Sequence, residues 1–366
     1  MTAPVVLTGG SGFLGWHVRV LARALKLPEP IIVDRDDFAQ PNVLAAKLNG
    51  ADRVVHLAGI NRGEPQEVAT GNVILARQLA AGLRSCATPP KRVAFANSVQ
   101  AGNGTPYGDG KAAAGVLLAE TARWFGSEFS DVLLPNLFGE HGRPHYNSVI
   151  ATFCRLLADG GKPQVSGDRE LELLHATDAA ALLLGTTPVE TPVPTVRRTV
   201  SELATQLTTF ATTYRSGEIP PLTDRFAVRL FNTYRSQLFP ANTPLRLPTH
   251  TDARGGLVEA VKVHGGGGQT FCSTTVPGVT RGEHFHLAKV ERFVVIRGEA
   301  EIRLRRVLHD DVLTFRVSGD KPTVVDMPTM WAHNITNVGS SDLTTLFWTN
   351  DVFDPLNPDT YPEPVS

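Results

Sequence analysis

Hydrophobic positions in this chain follow two rhythms. Up to about residue 135, short apolar runs recur: Val5-Val6-Leu7, Ile31-Ile32-Val33, Val54-Val55-His56-Leu57, Val93-Ala94-Phe95-Ala96 and Val132-Leu133-Leu134. Continuous runs of this kind suit strands buried on both faces. Helix-like stretches such as 18–25 lie between them. This alternation predicts a doubly wound parallel sheet, a Rossmann-type α/β fold, with its ligand at the carboxyl ends of the strands. After about residue 245 the texture changes. Short β-rich segments at 257–263, 269–276, 293–296, 302–304, 312–317, 324–327 and 344–348 are separated by glycine and proline turns. Many short strands without helices predict an all-β jelly-roll barrel. Residues 140–240 read as helix and loop that cover a substrate. The division expected from texture is 1–243 and 244–366.

Composition narrows the classes. With 366 residues the chain is too long for one ordinary core. Lys plus Arg number 35 against 36 for Asp plus Glu. That balance offers no electrostatic footprint for nucleic acid or an anionic membrane. No apolar run approaches the roughly 20 residues of a membrane span. No signal peptide is expected, since the first strand runs straight into glycines. Cys86, Cys154 and Cys272 are odd in number and far apart, as expected of reduced thiols at buried positions in a cytoplasmic protein.

Candidate chemistry sits at both ends. Thr8-Gly9-Gly10-Ser11-Gly12-Phe13-Leu14-Gly15 follows the first strand. Its glycines allow a tight turn, backbone approach to a pyrophosphate, and close packing of helix on strand. Phosphates then meet free N–H groups at the helix start, around Phe13 and Leu14. Asp34 ends the second strand, where a ribose-binding carboxylate is expected. Asp34 would repel a 2′-phosphate and Arg35 would bind one, so these two residues alone leave NADPH and NADH open. Leu57-Ala58-Gly59 ends the third strand and should border the same cofactor. Tyr107 and Lys111 are four apart, so on a helix they share a face. A phenol there can give a proton to a carbonyl oxygen, and an ammonium beside it would lower its pKa. Ser98, at a strand end, could hold the same oxygen.

The second constellation is His284-x-His286-x4-Glu291, framed by Gly278 and Gly298, with His333 further on between Pro328 and Asn337. Alternate strand positions point to one side, so His284 and His286 should face one interior. Three imidazoles and a carboxylate could hold Zn, Fe, Mn or Ni. A proton beside a ketone is acidic only while the ketone exists. In the nucleotide-sugar reductases and keto-sugar epimerases that the two halves resemble, this implies that a barrel that epimerises and a Rossmann domain that reduces would share one keto-sugar intermediate, with epimerisation first.

Residues 1–240 resemble the extended short-chain dehydrogenase/reductase superfamily, which carries TGxxGxxG and YxxxK and acts mostly on nucleotide sugars. The histidine–glutamate spacing resembles the two cupin motifs, although Pro328-Thr329-Met330 stands where Pro-x-Gly is usual. Asp252-x-Arg254-Gly255 resembles the opening of metal-free keto-sugar epimerases that use a tyrosine acid; only Tyr361 in the tail could serve as one here. His56 to Arg62, Pro135 to Gly139, Tyr146 to Phe153, Val317 to Lys321 and Phe353 to Pro355 carry a resemblance to the CapF/WbjC family over nearly the whole chain. The resemblance implies C3 epimerisation of UDP-2-acetamido-2,6-dideoxy-β-L-arabino-hex-4-ulose by a zinc-containing cupin domain. NADPH-dependent C4 reduction to UDP-2-acetamido-2,6-dideoxy-β-L-talose follows, toward UDP-N-acetyl-L-fucosamine for capsule or O-antigen, in a homodimer. Three rivals stand beside it: a single-activity reductase or dehydratase whose cupin only binds sugar or buttresses the dimer, a non-enzymatic dinucleotide-binding regulatory protein, which would have no need of Tyr107 and Lys111, and an iron cupin oxygenase fused to a reductase. Lys289, Glu283 and His286 are the candidates for the base at C3.

Overall fold

The structure, a computed structural model, describes residues 4–189 and 191–366. Its contacts divide the chain into two units: Met1–Leu137 with Glu172–Arg197, and Phe138–Leu171 with Arg198–Ser366.

The first unit is built on five parallel strands, β1 (Val5–Thr8), β2 (Ile31–Val33), β3 (Arg53–His56), β4 (Arg92–Ser98) and β5 (Glu128–Leu134), in the order β2-β1-β3-β4-β5. Helices α1 (Phe13–Ala24), α2 (Arg35–Phe38), α3 (Pro41–Leu48), α4 (Pro65–Arg84) and α5 (Pro106–Phe125) connect them. The continuous apolar runs are buried as expected: Val6, Val33, Val54, Val93 and Phe95 pack with Leu44, Leu79, Leu83 and Leu118. Each such side chain contributes about 1.5–3 kcal/mol of burial. From β1 the chain goes first to one side of the sheet and then, through β3, to the other. The crevice between the ends of β1 and β3 is therefore the switch point where such sheets bind ligands.

The second unit carries two five-stranded antiparallel sheets. One runs Gln269–Thr275, Leu343–Thr349, Glu291–Arg297, Thr323–Met327, Leu245–Arg246; the other runs Val312–Ser318, Glu299–Arg306, Trp331–Asn337, Thr280–Phe285, Tyr361–Pro362. Their inward side chains, among them Phe293, Val295, Ile302, Leu304, Val325, Ile335 and Phe347, form one core. This is a jelly-roll of cupin-like form. Helices Val149–Ala158, Val200–Arg215 and Arg225–Leu238 belong to the same unit. Buried polar bonds tie them to the sheets: Tyr214 Oη donates to Asp326 Oδ2 at 2.7 Å, and Arg235 Nη2 donates to the Met327 carbonyl.

Two local expectations fail for physical reasons. The strand expected over 257–263 stops at Val258, within a hairpin of Thr249–Asp252 and Gly255–Val258. Beyond it, the backbone finds its partner at Ile219, whose N–H donates to the Lys262 carbonyl at 2.8 Å. Cys154 is buried and Cys86 half-buried, but Cys272 is exposed, since its neighbour Phe271 takes the inward position on an edge strand. No helix among the described residues is long and apolar enough to cross a membrane.

Candidate active and metal-binding sites

The glycine turn stands between β1 and α1. Gly12 N donates to Gly9 O at 3.1 Å, and Gly12 caps α1 without a side-chain hydrogen bond. The first turn of α1 thus receives no side-chain cap, a fit for a pyrophosphate at its N-terminus. A Cβ on Gly15 would lie 2.3 Å from Gly9 O, so only glycine lets the helix start this close to the turn. Gly10 packs against Ile32 in the same turn.

Thr8 joins this turn to the end of β3. Its Oγ1 accepts from Leu57 N and Ala58 N at 3.2 and 3.1 Å, and lies 2.8 Å from His56 Nδ1. Burial, aided by the Lys111 charge, lowers the His56 pKa to about 3, so the ring is neutral; Thr8 Oγ1 already accepts two N–H groups, which leaves its own proton for His56 Nδ1. Leu57, Ala58 and Gly59 are thereby fixed beside the glycine turn. Sequence reasoning missed Thr8 and His56 as its fasteners.

Asp34 is the N-cap of α2. Its Oδ1 accepts from Asp36 N and Asp37 N at 3.0 and 3.2 Å, while Asp37 Oδ2 accepts from Asp34 N at 2.8 Å. The bonds to the helix fall on Oδ1, which leaves Oδ2 for a ribose hydroxyl. Arg35, the first residue of α2, is exposed.

Tyr107 and Lys111 lie in the first turns of α5, set by the Thr105 cap and Pro106. Ser98 ends β4. Burial raises the Tyr107 pKa, and its hydrogen bond to Ser98 pulls it back only in part. The expected lowering by Lys111 is absent. Lys111 Nζ donates to Ala96 O at 2.6 Å and lies 4.4 Å from the Phe95 ring centroid, which engages its charge elsewhere. Burial lowers the Lys111 pKa to about 8, against the opposing charge of Asp131. Asp131 also accepts from Asn97 Nδ2 at 3.1 Å, a support the sequence did not signal.

In the second unit, His284 and His333 are cross-strand partners, with ring centroids 4.6 Å apart. A bulge between Gly282 and His284 aims the strand. Gly282 has φ +108, and a Cβ there would lie 2.7 Å from His333 O, so the close approach needs glycine. His286 follows the strand end, and Glu291 opens the next strand. One ligand atom from each of His284, His286, Glu291 and His333 lies within 4.8 Å of all the others.

The donor set fits a divalent cation. His286 Nδ1 is bonded to the Asp359 carbonyl at 2.5 Å and His333 Nδ1 to the Trp331 carbonyl at 3.2 Å. A carbonyl only accepts, so both rings carry the proton on Nδ1 and, when neutral, present an Nε2 lone pair. Those two Nε2 atoms face Glu291 Oε2 at 3.0 and 3.3 Å. His333 Nε2 is buried without a hydrogen-bond partner. Lone pairs converging on a carboxylate call for a cation, and outer partners that set the tautomer are usual at metal sites. Burial, then the neighbouring His333 and His286, lowers the His284 pKa to about 3, leaving that ring neutral as a ligand must be. Burial pushes the Glu291 carboxyl up, but the neighbouring His286 and His333 outweigh this and hold its pKa well below the ordinary value.

His284, His286 and Glu291 of the cluster line a cavity of about 310 Å³ with Phe271, Arg281, Lys289, Phe347 and Thr360, and His333 is buried behind them. Glu283 is not in its wall; it accepts from Asn334 Nδ2 at 2.6 Å and Val365 N at 2.7 Å. Tyr361 is not in the wall either. It pairs with Phe285, and the two rings lie 5.4 Å apart. Thr360 takes the inward position, so the tail supplies no tyrosine acid.

Comparison with known proteins agrees with this geometry. Residues 5–187 match the NAD dependent epimerase/dehydratase family, and residues 250–361 the polysaccharide biosynthesis C-terminal domain. The chain is 33% identical to a UDP-2-acetamido-2,6-beta-L-arabino-hexul-4-ose reductase of Pseudomonas aeruginosa, over 98% of this chain and 97% of that one. A crystal structure of the capsular polysaccharide assembling protein CapF from Staphylococcus aureus is 32% identical, with a TM-score of 0.61 over 99% of this chain and 100% of that one. A UDP-N-acetylglucosamine 4-epimerase of Methanobrevibacter ruminantium, 17% identical with a TM-score of 0.53 over 66% of this chain and 99% of that one, shares the fold.

Proposed function

The chain belongs to the CapF/WbjC family, and from that membership we propose that it acts twice on one UDP-linked keto sugar. The substrate we propose is UDP-2-acetamido-2,6-dideoxy-β-L-arabino-hex-4-ulose. The jelly-roll, as a cupin domain over 244–366, inverts C3. The first domain, over 1–243, then reduces C4 to UDP-2-acetamido-2,6-dideoxy-β-L-talose. The observation that carries the double assignment is the cluster of His284, His286, Glu291 and His333, three of whose members, His284, His286 and Glu291, stand in the wall of a cavity. A barrel that only bound sugar would not need four converging ligand atoms around a lone pair with no partner.

In the reductase half, the uncapped N-terminus of α1 takes the pyrophosphate, and Asp34 with Arg35 meets the adenosine ribose. NADPH is the cofactor this reading favours, through Arg35 and the family, and it would supply the hydride. Burial keeps the Tyr107 phenol protonated, the state a donor needs, so Tyr107 gives its proton to the C4 oxygen while Ser98 holds that oxygen. In the barrel, His284, His286, Glu291 and His333 would hold zinc, whose Lewis acidity would stabilise charge on the C4 oxygen when C3 is deprotonated. Of the three candidate bases, Glu283 is engaged away from the cavity and His286 is a ligand. Lys289 remains, with Nζ in the wall beside Thr360 Oγ1 at 3.3 Å. A cytoplasmic homodimer making precursors for capsule or O-antigen completes the reading.

Proton NMR of the purified protein with this keto sugar in D2O, without nicotinamide, tests it. Deuterium entering at C3 in the wild type but not in His284→Ala is the expected result. No exchange in the wild type would reduce the barrel to a binding module.

A further inference from the structure

The segment after Leu356 returns to the four-residue cluster in an unusual way. Residues 361–362 pair with 285–284 at the sheet edge, which is ordinary edge closure. Asp359 does something else. Its carbonyl accepts from Nδ1 of His286 at 2.5 Å. Its carboxylate takes three successive backbone N–H groups: Leu287 N on Oδ1 at 2.9 Å, then Ala288 N and Lys289 N on Oδ2 at 2.9 and 2.7 Å. The fourth N–H of this connector, Val290, goes to Asn350 Oδ1 at 2.7 Å. All four N–H groups of the link between His286 and Glu291 thus go to two side chains from distant parts of the chain, while Asn232 Nδ2 donates to the Ala288 carbonyl at 2.7 Å. Asp359 adopts φ +42, a conformation that aspartate tolerates better than most residues. Beyond it the tail is anchored by Arg305, which bonds Glu363 Oε1 at 2.9 Å and the Val365 carbonyl at 3.0 Å, and Val365 is fully buried.

A strand that merely closed an edge would bond the neighbouring strand and nothing more. The bonds of Asp359 land on a ligand ring and on the connector that spaces two ligands. We infer that Asp359 is a positioning residue of the metal cluster: it fixes the tautomer and orientation of His286 and the His286–Glu291 spacing, so that cation retention depends on the docked tail. This rests on the reading of the cluster as a metal site. Outer partners of this kind typically change metal affinity about 10–100-fold when lost.

The test uses the full chain as wild type, Asp359→Ala and Asp359→Asn, each loaded with Zn(II) or Co(II). Metal per chain, transfer to a competing chelator and the visible Co(II) spectrum are read, with thermal melting alongside. The expected result is wild-type retention of about one equivalent, about 10–100-fold weaker binding in Asp359→Ala with an altered Co(II) spectrum, and partial recovery in Asp359→Asn. Asparagine keeps one acceptor oxygen and tolerates the left-handed backbone, so it also decides the matter if the alanine variant does not fold. Lower melting temperatures with unchanged affinity and spectrum would overturn the inference and leave Asp359 a plain structural tie. A wild type that binds no metal would overturn the metal reading itself, a distinct outcome.

Discussion

Arg292 and Asp326 face each other across neighbouring antiparallel strands and share a two-pronged ion pair, with Nε on Oδ1 at 2.7 Å and Nη2 on Oδ2 at 2.8 Å. Arg292 is fully buried, and its Nη1 donates to Gly217 O at 2.7 Å. Tyr214 adds its hydroxyl to the same carboxylate. Burial pushes the Asp326 carboxyl up, but the guanidinium outweighs it and holds the pKa below the ordinary 3.8. A depressed carboxyl pKa stabilises the fold above the unfolded value and loses that contribution as pH falls through the folded one. Asp326→Asn strands a buried guanidinium and should cost about 3–5 kcal/mol near neutral pH. Urea melts of the two proteins should show a constant gap down to about pH 5 and a shrinking one below. A gap that grows with acid would contradict the assignment.

Tyr107→Phe should separate the two reactions. Loss of a positioned acid costs about 10²–10⁴-fold in the hydride step, read from nicotinamide absorbance with the keto sugar. Deuterium entry at C3 should be unaffected, since Tyr107 and the barrel cluster are different devices. Equal loss of both signals would argue against two sites.

Lys111 makes the reduction sensitive to alkali. Its ammonium pKa is lowered to about 8 by burial. The charged form is present below that value and disappears as pH rises through it. The rate of reduction should therefore fall above about pH 8, and Lys111→Met should be slow and lack that limb. A wild-type profile flat from pH 7 to 9 would show that the ammonium form is not required.

Much of this site was legible in the sequence because its signals are local. The spacing of Gly9, Gly12 and Gly15 reports a turn whose Cβ clearances the structure then measures. His284 and His286 share a face because strands alternate. The parts that escaped are those whose partners are remote in sequence. Nothing near Asp359 indicates that its carboxylate will hold 287–289, or near Thr8 that its hydroxyl will meet His56. The Tyr107–Lys111 spacing correctly places both on one helix, but not the choice of Lys111 to bond the Ala96 carbonyl. That choice depends on the end of β4, and with the ammonium engaged there, burial sets the phenol shift upward. The strand over 257–263 failed for the same reason, since Ile219, far earlier in the chain, supplies the partner of Lys262 and Val263.

Cofactor preference should respond to Arg35 and Asp34 in opposite directions. Arg35 is exposed at the start of α2, while Asp34 uses Oδ1 as a cap. A charge-assisted hydrogen bond is worth about 1.5–3 kcal/mol, or roughly a ten- to hundredfold change in KM. Arg35→Ala should raise KM for NADPH by that factor and leave NADH nearly unchanged. Asp34→Asn should ease NADPH binding, because the cap oxygen is retained and the repelling charge is gone. An Arg35→Ala variant with unaltered NADPH kinetics would place the 2′-phosphate elsewhere.

Lys289 and Glu283 should behave differently at C3 although both lie within a few residues of the ligands. Lys289 lines the cavity, and its Nζ is held by Pro358 O at 2.6 Å and Thr360 Oγ1 at 3.3 Å. Glu283, at φ +59, turns its carboxylate to Asn334 and the Val365 backbone. Removing the base should slow exchange about 10²–10⁴-fold, so Lys289→Met is expected to lose deuterium entry while retaining metal. Glu283→Gln keeps one acceptor for Asn334, so it should weaken the docking of the tail yet exchange at close to the normal rate once folded. If Glu283→Gln stops exchange and Lys289→Met does not, the proton leaves from the other side of this strand, and the cavity wall is not where C3 is deprotonated.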